Sequence, residues 1–93
     1  MGNESEYEIR LFEGKLDGID IAMSVDPDRV VIQTVDGAET VTYGYRIEGG
    51  EFFVNQVPAL SHQIQEFQAL AGKISDAAEN GQVKVTVMVE DKG

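Results

Sequence analysis

Asp26, Asp28 and Asp36 bracket a valine-rich run in the stretch Val25-Asp26-Pro27-Asp28-Arg29-Val30-Val31-Ile32-Gln33-Thr34-Val35-Asp36-Gly37. Carboxylates this close in sequence are the groups that hold a hard cation or divide the acid and base roles of a catalytic pair. The spacing argues against both. A calcium loop of the EF-hand kind needs oxygen ligands at alternating positions, and here valines stand where ligands should be. A looser oxygen site would combine Asp26 and Asp28 with Asp17 or Asp36. If residues 29 to 35 form an extended strand, however, Asp28 and Asp36 lie about 25 Å apart, at opposite ends of it. Turn chemistry accounts for all three, because Asp accepts local backbone N–H bonds and tolerates turn geometry.

The other chemical candidates reduce in the same way. His62 is the single histidine. It lies four residues before Glu66 on a helical pattern, which makes a solvated i, i+4 pair and supplies no further ligand. Gly49-Gly50 leads into Glu51-Phe52-Phe53 with no Lys or Arg to hold a phosphate, so these are hairpin glycines. With no cysteine in the chain, thiolate nucleophiles, disulfides and thiolate zinc sites are excluded. No catalytic residue, metal ligand or cofactor is assigned, and the expectation is a protein that is not an enzyme.

The elements that carry these residues follow from period. Tyr7, Ile9 and Leu11 alternate with Glu8 and Arg10, then Ile19, Ile21, Met23 and Val25 alternate with Asp20, Ala22 and Ser24, giving two strands around an Asp17-Gly18 turn. Residues 29 to 35 form a third strand, and Asp36-Gly37 turns it into a fourth with Val41, Tyr43, Tyr45 and Ile47 on one face. Gly49-Gly50 leads to a fifth strand, Glu51 to Val54. After Pro58 the period changes: Leu60, Ile64, Phe67, Ala71, Ile74 and Ala78 recur in steps of four and three, the stripe of an amphipathic helix. Pro58 suits its first turn, Asn55 its cap, and Asn80-Gly81 its left-handed end. A last strand sets Val83, Val85, Val87 and Val89 against Lys84, Thr86, Met88 and Glu90, with its valines expected on the helix.

The fold expected is α+β: a mainly antiparallel sheet of five to six strands, in the order β-β-β-β-β-α-β, with one long helix on one face. Residues 1–93 form a single small acidic domain, with 1–5 a flexible polar terminus. The uncovered face is expected to carry Glu8, Arg10, Asp20, Ala22, Ser24, Thr40, Thr42, Lys84 and Thr86, small and polar enough to be wet.

Seventeen acidic residues against seven basic ones leave a net charge of −10, which repels nucleic acid and anionic membranes. Twelve of the acids fall in residues 1–51, opposed there only by Arg10, Lys15, Arg29 and Arg46. The first reading of function is therefore a regulatory or inhibitory protein-interaction module that meets a basic protein partner, in the physical character of virus-encoded inhibitors of nucleic-acid-handling proteins. Its expected contact residues are Asp20, Glu39, Glu48 and Glu51, with Phe52 and Phe53, one of which alternation must expose. Two other readings stand beside it: a small-molecule-binding or enzyme-accessory domain with a pocket at Tyr43, Tyr45, Phe52 and Phe67, and a salt-adapted protein whose acidity serves solvation. The polar N-terminus and the lack of a long apolar run point to a cytoplasmic protein. A homodimer is expected, formed by edge pairing or by the open sheet face, with Met88 or one of Phe52 and Phe53 near the two-fold axis; insertion of the last strand centrally beside the first would instead leave a monomer.

Overall fold

A computed structural model describes residues 6–91; the flexible terminus expected over 1–5 lies outside the described residues. The class is α+β as expected, with a single antiparallel sheet and one helix. The strands are β1 (Glu6–Leu16), β2 (Ile19–Val25), β3 (Arg29–Asp36), β4 (Glu39–Arg46), β5 (Glu51–Val54) and β6 (Val57–Pro58), followed by helix α1 (Ser61–Glu79) and β7 (Val83–Asp91). They lie in the order β6-β5-β4-β3-β2-β1-β7. The meander follows from its turns. Asp17 and Gly18 both take positive φ, 53° and 80°, the geometry whose twist matches a two-residue hairpin. Asp26 Oδ1 accepts the N–H groups of Asp28 at 2.8 Å and Arg29 at 2.9 Å, so that carboxylate is committed to its own turn.

The strand count is seven rather than five to six, and the addition explains two further corrections. Asn55 and Gln56 sit at φ 51° and 70° and fold β5 back onto β6. Asn55 is therefore a turn residue and caps nothing: its N–H donates to the Thr42 carbonyl at 2.8 Å, and its Oδ1 accepts from the Thr42 N–H at 3.0 Å. Pro58 belongs to β6, and α1 starts three residues later, where Gln63 Oε1 accepts the Leu60 N–H at 2.8 Å. A Gln at positive φ pays the clash of its Cβ with the carbonyl, whereas Asn-Gly is the pair this turn favours. Gln56→Gly is expected to raise stability by about 0.5 kcal/mol, net of the chain entropy that glycine adds to the unfolded state. A drop in the urea midpoint would contradict this.

Nineteen residues at about 1.5 Å each give a helix of about 28 Å, close to the width of seven strands spaced about 4.8 Å apart. The helix enters beside β5, where the Ala59 N–H donates to the Phe52 carbonyl, and leaves over β1 and the edge strand β7. Its exit is the expected glycine-ended turn: Gly81 N–H reaches the Ala78 carbonyl at 3.2 Å and Gln82 N–H the Ala77 carbonyl at 2.9 Å, with Gly81 at φ 79°. The core under it is Ile21, Met23, Ile32, Phe67, Ile74, Ala77 and Val83.

Register corrects the faces of β1. Phe12 pairs with Met23 and Leu16 with Ile19, so even-numbered β1 residues share the helix side. Glu8 and Arg10, expected on the open face, therefore lie on the helix side, and Tyr7, Ile9 and Leu11 lie on the open one. The cause is the adjacent pair Leu11-Phe12, which makes both phases of the strand apolar; the phase nearer the helix wins because a one-residue slip would expose Phe12 and Leu16 together. The valines of β7 share the helix side, yet only Val83 is buried, because α1 ends where β7 begins. The last strand does lie beside the first, but at the sheet edge rather than centrally.

Candidate functional site

The four acids and two aromatics picked out as contact residues do not converge. Asp20 is on the open face, with Lys15 at 3.8 Å, and Glu51 is on the same face at the other end, with Arg46 at 3.1 Å. Glu39 pairs with Asp36 on the helix side, and Glu48 lies in the turn between β4 and β5. Phe52 turns inward: its ring is 4.5 Å from Tyr45 and 5.5 Å from Phe67. Of the two phenylalanines, Phe53 is the one on the open face. Met88 is half-buried there opposite Ile9.

Cross-strand register places one row across the open face from β7 to β5: Thr86, Leu11, Ser24, Val31, Gly44 and Phe53, all half-buried. Small residues at Ser24 and Gly44 leave two shallow hollows that share Val31 and Thr42, of about 230 and 360 Å³. Charges surround this row in balance. Glu13, Asp20, Glu51 and Glu90 face the same way as Lys15, Arg29, Arg46 and Lys84.

The helix side is different. Glu6, Glu8, Asp36, Glu39 and Asp91 lie on that face of the sheet, and Glu66, Asp76 and Glu79 are exposed on α1 above it, opposed only by Arg10 and Lys73 among the described residues. The remaining described acids, Asp17, Asp26, Asp28 and Glu48, sit in turns. The excess negative charge thus belongs to the helix side and the turns, and the open face contributes none of it. Sequence counting by halves missed this, since the sign of a face emerges only when strand alternation is combined with pairing register.

Between helix and sheet, Tyr43, Tyr45, Phe52 and Phe67 fill the expected pocket with their own rings. A cleft of about 280 Å³ opens beside them, where Tyr43, Leu70 and Lys73 meet Leu16 and Ile21, with Asp17, Asp36 and Glu39 at its rim. Burial raises the Tyr43 hydroxyl above its ordinary value near 10, and the negative charges of Glu66 and Glu39 add to the rise. Glu66, expected as the partner of His62, thus bears on the cleft. Because the folded-state pKa lies above the unfolded one, the associated stability is fully present below pH 10 and is lost as pH climbs through the folded value. Urea unfolding at increasing pH should show an alkaline decline that Tyr43→Phe reduces; an identical decline in both proteins would refute the assignment.

Among the described residues, no group of three or more His, Asp or Glu side chains is placed to hold a metal. No described helix is long and apolar enough to cross a membrane. Comparison with protein families, with curated proteins and with solved structures finds no match for this chain.

Proposed function

We propose that this protein is a non-enzymatic interaction module, regulatory or inhibitory, whose electronegative helix side engages a basic protein surface. The observation that carries the reading is the segregation of charge. Acidity that served solvation alone would have no reason to spare the open face, which is exposed to the same water; among the described residues that face is neutral and the opposite one holds eight carboxylates against two cations. A surface of this sign draws a Lys- and Arg-rich partner by steering, and it shares its charge with a phosphate backbone, so a nucleic-acid-handling protein is the class of partner it suits.

The small-ligand reading has weaker support, because the cleft of about 280 Å³ is small beside ligand pockets of roughly 300–1,000 Å³ and is rimmed mainly by carboxylates. The test is affinity capture with three proteins: the parent, a helix-side variant carrying Glu66→Lys, Asp76→Lys and Glu79→Lys, and an open-face variant carrying Phe53→Glu. The partner is expected to be lost by the helix-side variant, kept by the open-face variant, and released as salt shortens the screening length from about 10 Å at 0.1 M toward 3 Å at 1 M. A partner held equally by the helix-side variant, or indifferent to salt, would overturn the proposal.

A further inference from the structure

The two edges of the sheet are managed unequally. β6 is two residues long and ends in Pro58, which has no N–H to offer, so that edge is closed to further pairing. β7 is nine residues long, contains neither Pro nor Gly, and pairs with β1 without interruption from Gly14 opposite Val83 to Glu6 opposite Asp91. No bulge twists it away. Its helix-side valines Val85, Val87 and Val89 are 42%, 52% and 65% exposed, half of all the large apolar side chains that stand in solvent among the described residues. A long, flat, apolar edge is the feature that soluble sheets otherwise avoid.

We propose that β7 is a self-recognition strand, pairing antiparallel with β7 of a second copy about a two-fold axis at Val87, so that two sheets join into one. Symmetry restricts the choices. In an antiparallel pair directly opposed residues share a face, so the valines stay together only in registers centred on a residue. Centring on Val87 overlaps all nine residues of the strand. It sets Val85 of each copy opposite Val89 of the other on the helix side. On the open face it sets Lys84 opposite Glu90, twice by symmetry, with Thr86 opposite Met88 between them. Moving the axis to Thr86 puts Lys84 opposite Met88, and moving it to Met88 puts Glu90 opposite Thr86; either shift loses both charge pairs and shortens the overlap. The strand is complementary to itself in one register, and a cross-strand pair of opposite charges in that position is stabilising where like charges are not. The axis therefore falls one residue from Met88, and Phe52 and Phe53, five strands away, have no part in it.

This inference goes beyond the proposed engagement of a basic partner and does not depend on it. Light scattering and sedimentation at about 0.15 M salt keep short-range pairs while screening the repulsion between two copies beyond about 8 Å. A dilution series of the parent, whose chain mass is 10.2 kDa, is expected to pass from dimer to monomer. Glu90→Lys places lysine opposite Lys84 twice and is expected to weaken association about tenfold; adding Lys84→Glu reverses both partners and restores it to within about threefold. Lys84 also faces Glu13 of its own β1, so circular dichroism and urea midpoints establish that each variant is folded. A parent that stays at the monomer mass at every concentration overturns the proposal, as does a folded Glu90→Lys that associates like the parent. Failure of the folded double variant to recover would overturn the register.

Discussion

Phe67→Ala is expected to remove about 3–5 kcal/mol of stability, the range for emptying an aromatic site in a core. Phe67 is 6% exposed and stands edge-on to Phe52, with ring centroids 5.5 Å apart and planes at 77°. Tyr43 and Tyr45 lie at 6.3 and 6.4 Å, inside the distances at which aromatic pairs add to simple burial. The residue is the joint between α1 and the β4–β5 end of the sheet, where no other helical side chain is fully buried. A chain of 93 residues has about 5–14 kcal/mol in total at roughly 0.05–0.15 kcal/mol per residue, so this one change takes a large fraction. Phe67→Leu keeps much of the apolar volume but loses the ring contacts and should fall between parent and alanine. Urea unfolding followed by far-ultraviolet dichroism reads the loss, and amide exchange should accelerate first in β4 and β5. A loss under about 1 kcal/mol would mean that the rings close over the gap and that the helix is held elsewhere.

The sheet was readable in the sequence because alternation in β2, β4 and β7 has a single apolar phase, and the helix because its stripe runs unbroken from Ile64 to Ala78. The first strand was misread where Leu11 and Phe12 make both phases apolar, since the choice between them depends on where the helix lies, and that is set by residues fifty positions away. β6 was missed because its turn is Asn55-Gln56, with neither the glycine of the Asp17-Gly18, Asp36-Gly37 and Gly49-Gly50 turns nor the proline of Asp26-Pro27-Asp28. The helix start moved with it, as a proline is equally at home in a helical first turn and in a short edge strand. Of the candidate contact residues, alternation correctly separated Phe52 from Phe53. It could not tell that Asp20 and Glu51 lie on a neutral face beside Lys15 and Arg46, while Glu39 joins the acidic side. Charge on a sheet surface is a two-dimensional property, and a one-dimensional count by halves mixes the two faces.

Ile74→Ala is expected to cost about 2–5 kcal/mol, because the side chain is fully buried. Among the described residues, Ile74 and Ile32 are the two large side chains with no exposure at all, one from the helix and one from the central strand β3. Ile32 is fixed from the other layer, held between Met23 of β2 and Tyr43 of β4 by register. Both isoleucines belong to the same core cluster, so each alanine alone opens a cavity in the layer between helix and sheet. If the two cavities merge, the second truncation removes contacts that the first has already lost, and the double variant should fall short of the summed losses by about 0.5–3 kcal/mol. Measured urea midpoints with unchanged slopes give that coupling directly. Strict additivity would place Ile32 and Ile74 in separate pockets of the core, and the helix would then be packed on the sheet at two independent points rather than through one continuous layer.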